Sequence, residues 1–254
     1  MATVPAHPAE VESREGEPQT AEAAGASPEG AGQSLQTATD TQDVRPWLVS
    51  GSDEIFRGIY TRAGTGDAET LAVCSALAGE GKTTVALGLA VTIAQDFPRR
   101  RVLLVETDLR NPVLAKDFDL EPAPGLMECL LDDAPLQTAY RPTTLSNLHL
   151  LPAGAPRVNP GRVLRSERMV SAVESMSQSY DMVILDVPAI LANSDSLLLT
   201  DLADGVIFVV RAGVSPMPLV SKAIGQLAEG KLRGAVLNGA TSSVPKWLRR
   251  LSGL

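Results

Sequence analysis

One stretch limits the possible folds more than any other. The apolar run Leu71–Ser75 leads into Ala76-Leu77-Ala78-Gly79-Glu80-Gly81-Lys82-Thr83-Thr84, and an apolar helical segment, Val85 to Ala90, follows at once. A strand, a glycine-bearing loop and a helix in that order form a phosphate cradle. Gly79 and Gly81 let the backbone curl so that successive N–H groups, Glu80 and Thr84 included, point inward. The helix N-terminus adds its partial positive charge. Lys82 can then reach the β- and γ-phosphates of a nucleotide, and the Thr83 hydroxyl is placed for Mg2+. Ala76 stands where the general pattern begins with glycine.

The rest of the chain from Ser52 suits such a loop. Further apolar runs occur at Val102–Glu106, Leu148–Pro152, Met182–Asp186, Val206–Arg211 and Gly234–Asn238. Most are continuous rather than alternating, as parallel strands covered on both faces require. Helical stretches are expected near 53–64, 82–96, 125–131, 168–179, 196–203 and 217–230. The alternation predicts an α/β fold with a doubly wound, mainly parallel sheet of the P-loop NTPase type, its ligand at the carboxyl ends of the strands.

Residues 1–46 read differently. They hold eight acidic residues against Arg14 and Arg45, a net charge of −6, and almost no large apolar side chains. Such a segment buries too little surface to offset its ordering entropy, so a disordered acidic tail is expected, with one domain over 47–254. The whole chain carries −8, which leaves −2 for that domain and argues against nucleic acid as a partner. Two cysteines and two histidines offer neither a disulfide framework nor a histidine metal site, and the usage fits a reducing cytoplasm. No run approaches the ~20 apolar residues of a membrane span. The last residues, Pro245 to Leu254, read as a short amphipathic end.

A mononucleotide site also needs carboxylates from neighbouring strand ends. Asp186 closes an apolar strand and is the natural Walker B acid for the metal, the alternative being a cap on the following turn. Glu106 and Asp108 are two residues apart, so an extended strand would point both the same way. One can serve the metal shell while the other takes a proton from an acceptor hydroxyl or orients water. Arg110 can pair with Asp108 or with phosphate.

Three linked motifs resemble the bacterial tyrosine kinases of capsule and exopolysaccharide synthesis, the CpsD/CapB type and the cytoplasmic half of Wzc, within the MinD/ParA-like P-loop ATPases. Ala78-Gly79-Glu80-Gly81-Lys82-Thr83 is similar to the family's first motif. Leu103-Leu104-Val105-Glu106-Thr107-Asp108-Leu109-Arg110 is similar to the second, with Glu106 where the family has aspartate. Asp186-Val187-Pro188-Ala189 corresponds to Asp-Thr-Pro-Pro. Leu77 stands where the MinD/ParA signature has a second lysine, which favours the kinase branch.

The resemblance implies a protein kinase that uses ATP and Mg2+, with Lys82, Glu106, Asp108 and Asp186 catalytic and Thr83, Asp108 and Asp186 near the metal. It implies base contacts from Arg211 and Asn238, the latter otherwise a turn residue. It further implies a cytoplasmic location, a membrane-bound chain-length protein as activator, and an oligomerising helix at Glu54–Tyr60, where tyrosine replaces the second arginine. No tyrosine follows Tyr180, so Tyr60, Tyr140 or a partner's tyrosine is left as acceptor. The alternatives are a nucleotide-switched regulatory partner without kinase activity and a MinD/ParA-like ATPase.

Overall fold

The computed structural model describes residues 43, 53–64, 69–157 and 159–240. The expected acidic tail, apart from Asp43, and the amphipathic end lie outside the described residues. Among the described residues seven strands form one sheet: β1 (Glu69–Ser75), β2 (Val102–Glu106), β3 (Arg141–Pro142), β4 (Leu148–Leu151), β5 (Met182–Asp186), β6 (Gly205–Arg211) and β7 (Leu232–Asn238). Their order is β3-β4-β2-β5-β1-β6-β7. All neighbours are parallel except β3, a two-residue antiparallel edge on β4 that the sequence pattern had not marked.

The strands hold two cores apart with a period of two. Ala72, Cys74, Leu103, Val105, Val183, Leu185, Val206 and Phe208 pack on one face. Leu71, Val73, Val102, Leu104, Met182, Ile184, Ile207 and Val209 pack on the other. Continuous apolar strands are therefore the outcome of double coverage, because each residue has a core to enter.

On the second face lie α1 (Asp53–Ala63) and α2 (Lys82–Asp96). Helix α2 is buried from Val85 through Ala94, since it is covered by the sheet below and α1 above. Gly88 makes that contact possible: a Cβ there would lie 2.2 Å from the Phe56 ring. At its far end α2 is tied to α1 by Asp96, which accepts hydrogen bonds from Arg57 Nε (2.7 Å), Arg57 Nη2 (2.8 Å) and Tyr60 Oη (2.5 Å).

The first face carries α4 (Leu126–Leu131), α7 (Glu167–Ser179), α8 (Asp195–Leu202) and α9 (Met217–Ile224), with short turns α5 (Leu136–Ala139) and α6 (Pro160–Leu164), whereas the short turn α3 (Leu114–Asp117) packs Leu114 into the second core. Helix α9 stops at Gly225 rather than near residue 230. Among the described residues no helix is long and apolar enough to cross a membrane.

The topology fixes the site. Strand β1 lies between β5 and β6, so the loop after it is flanked by the carboxyl ends of β5 and β2 on one side and of β6 and β7 on the other.

Candidate nucleotide site

The loop between β1 and α2 curls at two left-handed glycines, Gly79 (φ 80°) and Gly81 (φ 91°). Gly81 is constrained twice, because a Cβ there would also stand 2.0 Å from Asn238 Nδ2. The loop is held by its own glutamate. Glu80 is buried; its Oε2 accepts from the Leu77 N–H at 2.7 Å, and its Oε1 accepts from the Ser215 hydroxyl. From β6 and β7 come Arg211, which donates to the Gly79 carbonyl (2.8 Å), and Asn238, which donates to the Glu80 carbonyl (2.9 Å).

On the β5 and β2 side the charged groups converge. Lys82 Nζ lies 3.3 Å from Asp108 Oδ2 and 3.8 Å from Asp186 Oδ1. The Thr83 hydroxyl donates to Asp186 Oδ2 at 2.6 Å. Asp186 is buried at the end of β5, and burial pushes its carboxyl up to about 6 against the pull of Lys82 and Thr83. Its Oδ1 has no hydrogen-bond partner among the described residues. An orphaned buried carboxylate oxygen beside a hydroxyl suits a hard, oxygen-preferring cation. No group of three or more His, Cys, Asp or Glu side chains is assembled for a metal among the described residues, so a cation here needs phosphate or water oxygens to complete its shell.

Lys82, Thr83, Thr84 and Asp108 line a cavity of about 790 Å³, with Gly79 and Gly81 in its wall. Arg211, Asn238 and Gly239 line it from the ends of β6 and β7, and Arg110, Asn111, Pro188 and Asn193 from the segments after β2 and β5. The sheet order therefore sets Arg211 and Asn238 on the β6 and β7 side of the loop and the carboxylates on the β5 and β2 side.

Glu106 departs from the sequence expectation. Its carboxylate is fully buried and spent on backbone N–H groups: Oε1 accepts from Val113 (2.5 Å) and Leu114 (2.9 Å), and Oε2 from Ala153 (3.1 Å). It lines a second cavity of about 370 Å³ with Pro112, Lys116, Leu120 and Gly154, rather than the first. Desolvation raises its pKa, and the three N–H groups oppose that rise. The expected pairing of Arg110 with Asp108 also gives way, since Arg110 Nη2 donates to Asp195 Oδ2 at 3.2 Å. Sequence reasoning missed Ser215 and Asp195. Asp195 had one readable signal, an acid in the first turn of α8.

A cradle of backbone N–H groups, a lysine and hydroxyl at a helix start, and an acid at the neighbouring strand end define a nucleotide-binding P-loop protein. Residues 68–225 match the family model described as AAA domain. The chain is 36% identical over 173 residues to the tyrosine-protein kinase YwqD of Bacillus subtilis, covering 67% of this chain and 72% of that protein. It is 30% identical to the succinoglycan biosynthesis transport protein ExoP of Rhizobium meliloti over 68% of this chain, but spans only 22% of ExoP. Among solved structures, the chimerical protein CapA2B2 superposes with a TM-score of 0.71 at 26% identity, over 80% of this chain and 93% of that one. The chain belongs to the bacterial tyrosine-protein kinase family, built on the P-loop ATPase fold.

Proposed function

We propose that this protein transfers the γ-phosphate of ATP to a tyrosine hydroxyl on a second protein, as part of capsular or exopolysaccharide synthesis. The observation that carries the reading is the convergence of Lys82, Thr83 and Asp108 in the wall of the 790 Å³ cavity, with Asp186 buried behind Lys82 and Thr83. Bound Mg2+ would neutralise charge on the β- and γ-phosphates, with Thr83 and Asp186 holding it and Asp108 nearby. Lys82, held between two carboxylates, is poised to turn to the phosphates and stabilise the charge that builds there. Asp108 takes the tyrosine proton. Glu106 serves this centre indirectly, anchoring the segment that carries Asp108 and Arg110 to the ends of β2 and β4.

The acceptor lies in trans. Tyr60 is buried with its hydroxyl on Asp96, and Tyr140 packs edge-on against Tyr180 at 5.4 Å. The name of ExoP and its greater length favour a membrane-bound polysaccharide protein as partner, which would bring this chain to the inner face of the membrane.

The test is incubation with Mg2+ and γ-labelled ATP, following phosphotyrosine on added protein or tyrosine copolymer and free phosphate together. Phosphotyrosine formation that is lost in Lys82→Met and falls by about 100-fold or more in Asp108→Asn is expected. Free phosphate alone from the native protein would refute the transfer reading in favour of an ATPase. Bound nucleotide with neither product would leave a nucleotide switch.

A further inference from the structure

Beside the part of the cavity wall that Arg110 forms, two guanidinium groups share one carboxylate. Asp195 is 1% exposed at the start of α8. Its Oδ2 accepts from Arg110 Nη2 at 3.2 Å, and its Oδ1 from Arg165 Nη1. A buried carboxylate needs one cation for neutrality. Here it has two, which leaves the cluster one positive charge in excess.

Both arginine side chains are about half exposed, 49% for Arg110 and 53% for Arg165. Each guanidinium makes one hydrogen bond among the described residues, to Asp195, so four of its five donors are free. Packing has made room for the arrangement. A Cβ at Gly161 would lie 2.3 Å from Asp195 Oδ2 and 3.0 Å from Arg110 Nη2, so a side chain there would push the cluster apart. Arg110 and Asn193 both line the cavity, on the β2 and β5 side that also carries Asp108, the group that takes the tyrosine proton in the transfer reading.

We propose that Arg110 and Arg165, held on Asp195, form an acceptor-side anion subsite that takes a carboxylate flanking the target tyrosine, so that acidic segments are the preferred substrates. The inference rests on the transfer reading above for the word acceptor. Planar guanidinium forks suit a carboxylate, and a pair fixed on one buried anchor loses little freedom on binding it. Arg165 is the discriminating residue, because Arg110 also borders the phosphate site.

The experiment measures binding apart from turnover. Fluorescent peptides carrying one tyrosine flanked by Glu, by Gln or by Lys are titrated with the full chain, with and without Mg2+ and a non-hydrolysable ATP analogue. With the analogue bound, the Glu peptide is expected to bind about tenfold more tightly than the Gln peptide, a ratio that shrinks as salt rises. In Arg165→Ala that ratio should fall towards one, and Arg165→Glu should reverse the preference towards the Lys peptide. The reversal separates charge recognition from damage to the fold. Equal affinity in the native protein, no binding of any peptide, or a preference that Arg165→Ala leaves intact overturns the subsite. A preference that vanishes once the analogue is bound also overturns it, because the arginines would then be holding nucleotide phosphate. Acidic preference without phosphotyrosine formation keeps the subsite and refutes the transfer reading. Phosphotyrosine formed on Glu and Gln peptides alike, with equal affinities, does the reverse.

Discussion

Replacing Glu106 by Gln separates an anchor from a catalyst. The native carboxylate accepts three backbone hydrogen bonds, two on Oε1 and one on Oε2. Glutamine keeps a single oxygen, so whichever way the amide turns, an N–H of Val113 and Leu114 or that of Ala153 faces another donor. A buried donor left unsatisfied costs about 1–3 kcal/mol. The neighbouring 370 Å³ cavity can admit water and soften that cost, which favours a value of about 2 kcal/mol. For a domain of this size each kcal/mol moves the melting temperature by roughly 2–4 °C, so a fall of about 4–8 °C is expected. Glu106→Asp should fall too, since the arm shortens by about 1.5 Å and cannot hold residues 113, 114 and 153 at once. Thermal unfolding and phosphotyrosine formation measured on the same samples decide the matter. A Glu106→Gln protein that melts like the native one yet transfers no phosphate would refute the anchor and return Glu106 to the reaction.

Three further outcomes follow from close approaches and charge pairs. Gly81→Ala puts a Cβ 2.0 Å from Asn238 in a left-handed backbone, and nucleotide affinity measured with a fluorescent ATP analogue should drop by tenfold or more (~1–3 kcal/mol of strain). Gly88→Leu meets the Phe56 ring at 2.2 Å and should lower stability by about 1–3 kcal/mol in denaturant titration, a cost that Phe56→Ala in the same chain partly relieves. Hydrogen bonds from Arg57 hold the Asp96 carboxyl below the usual carboxylate range. Its contribution to stability is thus present above the unfolded value near 3.9 and is lost as pH falls through the folded one, so Asp96→Asn should flatten the acid side of the stability profile.

Much of this architecture is legible in the amino-acid sequence. Continuous apolar runs gave six of the seven strands within two residues, because double coverage leaves its mark on every position of β1, β2 and β5. The two-residue β3 carries no periodicity to read, and its pairing depends on where the chain returns beside β4. The short turns α3, α5 and α6 fall below the length at which a 3.6-residue pattern repeats. The phosphate loop was legible for another reason: glycines at positive φ, a lysine and a hydroxyl at a helix start are local requirements, and local requirements are written locally.

The carboxylates show where that reasoning stops. Spacing by two puts side chains on one side only while the chain stays extended, and β2 ends at Glu106. Beyond it, Thr107 is tied across to β5, its N–H and hydroxyl both donating to the Asp186 carbonyl at 3.1 and 2.7 Å. The backbone then turns, and the Asn111 N–H donates to both Asp108 O and Asp108 Oδ1 at 3.2 Å. Asp108 is thereby delivered to Lys82, while Glu106 meets N–H groups from 113, 114 and 153. Ala153 is 47 residues away in sequence, and no spacing rule spans that gap. The longer arm of glutamate is what lets one carboxylate reach both the start of α3 and the segment after β4, so the methylene that distinguishes Glu106 from aspartate does its work in the scaffold of the site.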